Sequence, residues 1–143
     1  MNISTRGRYG LRALLDLALN FPQGPVPLKD IASRQGISAK YLEQLFVELK
    51  KAGLIKSARG ARGGYLLARQ PPELDLYEIV CALEGGSLHL VDCLENPELC
   101  RRQAGCAARL VWLEMELKIK KYLGGLTLAD LVKWDKSKKP GGG

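Results

Sequence analysis

The chain has 143 residues, 46% of them hydrophobic and 26% charged, with a net charge of +7 and a pI near 9.4. That is one domain's worth of sequence with enough apolar surface for a packed core, and its charge content excludes wholesale disorder. No apolar run reaches the roughly 18–20 residues of a membrane span, and the amino end has no apolar stretch followed by a small-residue cleavage site, so the cytoplasm is the expected compartment.

The charge is unevenly placed. Residues 1–70 hold twelve basic and four acidic side chains, and residues 71–143 hold ten and eleven. A basic first half joined to a near-neutral second half suggests a polyanion-binding unit attached to something else. Ser4 or Thr5 can cap a helix that runs to about Asn20, with Leu11, Leu14, Leu15, Ala18 and Leu19 at helical spacing and Pro22 and Gly24 as stops. A short helix follows from Leu28 to about Gln35. Gly36 then makes a sharp turn and Ser38 caps a second helix, which runs to Ala52 and ends at Gly53. Short helix, glycine turn, longer helix is the helix-turn-helix pattern.

The longer helix separates into two faces. Leu42, Leu45, Phe46 and Leu49 form a core stripe, while Lys40, Gln44, Val47 and Lys51 lie opposite with Glu43 nearby. Lysine and glutamine donate to base edges and phosphates, and glutamate accepts from the cytosine amino group. On an isolated helix the same residues would read as a solvated face; the helix-turn-helix context points to DNA. Next come two short apolar strands, Leu54–Ala58 and Tyr65–Ala68, around Arg59-Gly60-Ala61-Arg62-Gly63-Gly64. This is a β-hairpin wing. Arg59 is placed to probe a narrow minor groove and Arg62 to contact phosphate.

Pro71-Pro72 marks a boundary, and Asp75 caps a helix from Leu76 to Glu84, on which Cys81 reads as a core residue. From Ser87 to Gly105 helical order lapses, and Cys93, Cys100 and Cys106 follow with C-x6-C-x5-C spacing. Three thiols on a short loop are soft ligands that suit an iron–sulfur cluster, 2Fe–2S or 4Fe–4S, or zinc. A usual set of four is one short, which leaves His89, Asp92, Glu95, Glu98 or a group from another subunit as candidates. A thiol/disulfide switch is the alternative. Ala107 to Leu123 reads as a helix apolar over a wide arc, which requires two packing partners, the second being the same helix of a twin subunit. Thr127 and Asp130 open a short helix through Leu131 and Trp134 that could cover this seam.

The expected fold is mainly α with a small β-hairpin wing. It divides into a DNA-binding domain at 1–70, a connector helix at 71–86, a cysteine loop at 87–106, a dimerisation helix and C-terminal helix at 107–134, and a disordered tail at 135–143. No C-x-x-C redox pair, nucleotide loop or acid/base constellation supports an enzyme.

Several segments together resemble the winged-helix regulator family that includes IscR, NsrR and CymR: Ile3-Ser4-Thr5-Arg6-Gly7-Arg8-Tyr9-Gly10, Tyr41-Leu42-Glu43-Gln44-Leu45, Arg59-Gly60-x-x-Gly63-Gly64-Tyr65 and Thr127-Leu128-x-x-Leu131. The resemblance covers about residues 1–134. It implies a homodimer on a palindromic operator in double-stranded DNA, with Ser38, Lys40, Tyr41, Glu43, Gln44 and Arg59 at the DNA surface. Arg6, Arg8, Lys51 and Arg62 complete the expected DNA-binding set, and IscR-like members carry serine where Lys40 stands. The three cysteines match the cluster ligands of the IscR and NsrR branches, which CymR-like members lack. The first interval between them is one residue longer than in IscR. Arg109 stands where IscR has its cluster histidine, and Arg8 meets the place of the NsrR aspartate, so the fourth ligand stays open. The function these features imply is operator binding modulated by an iron–sulfur cluster, in iron–sulfur biogenesis or in iron, redox or nitric oxide sensing. The alternatives are a cluster-free, CymR-like regulator of sulfur metabolism and a zinc or thiol redox sensor.

Overall fold

A computed structural model describes residues 2–61 and 63–137. Helix α1 (Thr5–Leu19) starts at Ser4, whose Oγ accepts the Gly7 N–H at 3.0 Å. Its inner stripe of Ala13, Leu14, Leu17 and Ala18 is buried. Helix α2 (Leu28–Gln35) closes on Gly36 in the left-handed conformation, and the Ile37 N–H returns to the Ala32 carbonyl at 3.0 Å. A residue with a β-carbon is disfavoured there, which explains the glycine. Helix α3 (Ala39–Lys51) is capped by Ser38, which accepts the Tyr41 N–H at 3.1 Å, and Leu42, Leu45, Phe46 and Leu49 are all buried. Helix, turn and core stripe are as the sequence implied, with ends shifted by a residue.

Strands β1 (Ile55–Ala58) and β2 (Gly64–Leu67) pair antiparallel, in register from Ile55 with Leu67 to Ala58 with Gly64. Val26, before α2, adds a bridge by exchanging both backbone hydrogen bonds with Tyr65 at 2.9 Å. A β-carbon on Gly64 would strike the Val26 carbonyl, so the wing lies this close to the segment before α2 only because that residue is glycine.

Helix α4 (Leu76–Leu83) packs on α1 and α3. Gly7 and Gly10 permit this approach, because β-carbons there would meet Glu84 and Leu83. Glu84 Oε1 accepts both the Ser4 N–H at 3.1 Å and the Ser4 hydroxyl at 2.6 Å, tying the start of α1 to the end of α4. The segment expected to lack helical order contains the short helix α5 (Asp92–Glu95) and 3-10 turns at Pro97–Leu99 and Gln103–Gly105. Helix α6 (Ala107–Gly124) follows, then α7 (Leu128–Ser137).

Helix α7 packs on α1 and on the 71–73 turn, with Leu128 fully buried. Two backbone bonds of 2.9 Å hold it there, Leu76 N–H to the Leu126 carbonyl and Leu128 N–H to the Leu74 carbonyl. The last helix therefore completes the core begun by the first. Residues 135–137, expected in the tail, belong to α7; residues 138–143 lie outside the described residues. Among the described residues, no helix is long and apolar enough to cross a membrane.

Candidate nucleic-acid interface and cysteine loop

The outward face of α3 is built from helical geometry. With Leu42, Leu45, Phe46 and Leu49 in the core, Lys40, Glu43, Gln44, Val47 and Lys51 are left exposed. Ser38 is exposed at the start of the helix; its oxygen caps Tyr41, and its hydroxyl proton remains a donor. Arg59 is exposed at the mouth of the wing, where Gly60 takes a positive φ of 104° and Gly63 N–H closes the turn on the Gly60 carbonyl at 2.9 Å. Arg62, the expected phosphate contact, lies outside the described residues. Lys51 pairs with Glu48 at 3.7 Å, so part of its charge is spent along the helix. Lys50 reaches instead to Ser57 Oγ at 2.9 Å and fastens α3 to the wing.

Arg6 and Arg8 are exposed on the first turn of α1. Tyr41 is half-buried rather than open, with its ring edge-on to Tyr9 at 6.3 Å. The guanidiniums of Arg8 and Arg12 lie 5.6 and 5.2 Å from the Tyr9 ring centre. Tyr41 thus anchors the first turn of α3 to α1 and presents only part of its surface outward.

A polar clasp between α1 and the helix-turn-helix corner escaped the sequence reading. Arg12 donates to Gln35 Oε1 at 3.2 Å and to the Gln35 carbonyl at 2.8 Å. Gln35 Nε2 donates to Asp16 Oδ2 at 3.0 Å, and Arg34 donates to both Asp16 oxygens at 3.0 and 2.7 Å. Asp16 is 4% exposed, a carboxylate buried among leucines with its lone pairs satisfied. The bond to Asp16, working against desolvation, holds the Arg34 pKa above its ordinary value. An aspartate inside the apolar stripe of α1, facing Arg34 across the turn, was the available signal.

Cys93 lies in α5, Cys100 follows the 3-10 turn at Pro97–Leu99 and Cys106 immediately precedes α6. All are half-buried and unbridged, as is Cys81, which stands beside Tyr77 rather than in the core. Among the described residues, no three histidine, cysteine or carboxylate side chains stand close enough to hold a metal ion. The donor chemistry suits a thiophilic iron cluster, and holding one would require the three thiols to stand closer together than they do. Of the candidate fourth ligands, Asp92, Glu95 and Glu98 are exposed. His89 is engaged elsewhere, with Nδ1 3.3 Å from Glu116 Oε2, while Glu116 Oε1 accepts the Leu90 N–H at 2.6 Å. Arg109 Nε is buried with no hydrogen-bond partner among the described residues. That position offers a donor seeking an acceptor, not a metal ligand.

A basic helix face and a glycine-turned wing on one side of a helical core define a winged helix-turn-helix DNA-binding protein. Residues 3–134 match the family described as Rrf2, iron-dependent transcriptional regulator, and the chain belongs to this family. Protein rrf2 of Nitratidesulfovibrio vulgaris is 45% identical over 133 residues, covering 93% of this chain and 88% of that protein. The structure of T. potens IscR is similar with a TM-score of 0.79 and 40% identity, covering 97% of this chain and 91% of that one. CymR, the global cysteine regulator of B. subtilis, is equally similar in fold, with a TM-score of 0.79, 38% identity and coverage of 94% and 98%. The chain is thus a transcriptional regulator and not an enzyme, with the mainly helical fold and two-stranded wing that its residues implied.

Proposed function

We propose that this regulator acts in the cytoplasm as a homodimer on a palindromic operator, reading it with α3 and the wing, and that segment 87–106 is its sensor. The observation that carries operator binding is the exposed row of Lys40, Glu43 and Gln44 beside Arg59, on a unit whose charge is strongly positive. In this reading Lys40 and Gln44 donate to base edges, Glu43 selects against misplaced phosphate, and Ser38, Arg6, Arg8 and Lys51 contact the backbone. Arg59 enters the minor groove, and Arg62 is assigned to phosphate from its place in the wing.

Dimerisation rests on α6. None of its residues is buried, and Leu110, Val111, Leu117 and Tyr122 are exposed on it. A twin helix would cover this surface.

In the sensor, Cys93, Cys100 and Cys106 would hold an iron–sulfur cluster, with the fourth position supplied by His89, Asp92, Glu95, Glu98 or the twin subunit. A bound cluster supplies sensitivity to oxidants, nitric oxide and iron supply. The protein's part is transmission: α5 packs on α6, α6 on α4, and α4 on α1 and α3. A change in loop order therefore meets a contiguous set of packed helices that ends at the recognition helix. A coupling of about 1–3 kcal/mol changes operator affinity roughly 5–150-fold.

The test is reconstitution with iron and sulfide without oxygen, followed by the visible spectrum, iron and sulfide content and operator affinity of wild type and Cys93→Ala. Equal affinity with and without cluster, across operators, removes the switch. The cluster-free reading is favoured by the separation of the thiols and by the equal likeness to CymR. A colourless wild type after reconstitution would establish it, and metal analysis with thiol counting would identify a zinc or disulfide sensor.

A further inference from the structure

The face of α3 directed at DNA carries one residue that donates and accepts nothing. Val47 is 47% exposed. At about 100° per residue, it lies about 160° around the helix from Leu49, directly opposite the core stripe. Lys40, Glu43, Gln44 and Lys51 surround it within about 60° on the same side. Val47 does not belong to the hydrophobic core or to the residues packed against it.

The occupant that suits such a position follows from the chemistry of its neighbours. Lysines on both sides make the face a polyanion contact and disfavour an apolar protein partner. In the major groove of duplex DNA, the base edges offer acceptors, donors and a single apolar group, the thymine 5-methyl. A branched aliphatic side chain can discriminate only by contact with that methyl. Val47 is three residues beyond Gln44, about 4.5 Å along the helix, comparable to one base-pair step of about 3.4 Å. We propose that Val47 is a specificity-determining residue that reads a thymine methyl adjacent to the base pair read by Gln44. This rests on the operator-binding reading above and adds to it a base identity.

The experiment first selects the preferred duplex from random DNA with wild-type protein. It then replaces each thymine in turn by deoxyuridine, which deletes the methyl and keeps every hydrogen bond. Wild type should bind about fourfold more weakly at one thymine per half-site, the effect of one buried methyl. Val47→Ala, which removes exposed atoms and should melt as wild type does, should bind the thymine operator more weakly. It should bind thymine and uracil operators equally at that position.

If wild type is indifferent to deoxyuridine at every position while Gln44→Ala weakens binding, the methyl assignment is wrong and operator reading by α3 stands. If Val47→Ala keeps the full methyl effect, the methyl is read by another residue and the proposal is overturned. If no preferred duplex emerges, both fall.

Discussion

The helix-turn-helix unit and the α5–α6 region are built on opposite principles. In the first, Leu14, Ile31, Leu42, Phe46 and Leu49 are sealed in a core, and even the charged Asp16 is enclosed with its partners. In the second, α6 runs for 18 residues without one buried side chain, and Leu117 is 57% exposed. The contrast teaches where the monomer is held together and where, in the proposed function, its regulation would lie. A reader of DNA needs a fixed pose for α3, which close packing supplies. A sensor needs a segment whose order depends on what it meets, and apolar surface left over from the monomer makes that order depend on association.

The comparison breaks first at Phe46. Phe46→Ala should cost about 3–5 kcal/mol of unfolding free energy by urea or thermal melting, whereas Leu117→Ala should change monomer stability by less than about 1 kcal/mol and instead weaken self-association in sedimentation. Equal stability losses at both positions would erase the distinction. Asp16→Ala comes next. The half-exposed Arg34 recovers water, so the expected loss is about 1–3 kcal/mol, below that for a fully buried pair. Operator affinity should also fall, since the corner before α3 loses its grip on α1. Ser4→Ala removes the cap of α1 and the hydroxyl bond to Glu84 while keeping the backbone one, and melting should register about 1 kcal/mol.

The smallest effect is at Tyr77, on α4 facing α6. Its pKa is raised by a hydrogen bond with Cys81, then by burial, then by the charges of Cys81 and Glu116. A phenol with a raised folded-state pKa contributes stability that is complete below its ordinary value of about 10. The contribution is lost as pH rises from there through the folded value. Tyr77→Phe should therefore flatten the decline in melting temperature above about pH 10. An unchanged alkaline slope would show that the Tyr77 phenol is not held neutral by Cys81 and its buried setting.

What the chain determined by itself is what short-range chemistry can encode. Ser4, Ser38 and Asp75 cap the helices they precede, the Leu42–Leu49 stripe fixes the buried face of α3, and the glycines at 36 and 60 mark turns. These signals act within a few residues, where capping and periodicity outweigh context. Tertiary structure decided the rest. The return of α7 to α1 depends on backbone bonds from Leu74 and Leu76 to a segment some fifty residues away, which periodicity does not record. Tyr41 turned inward because Tyr9 waits on another helix, and His89 faces Glu116 across 27 positions. The spacing of three cysteines names their chemistry as ligands, but their convergence depends on how an exposed loop folds against its surroundings. That is a balance of chain entropy and long-range contact that no local pattern contains.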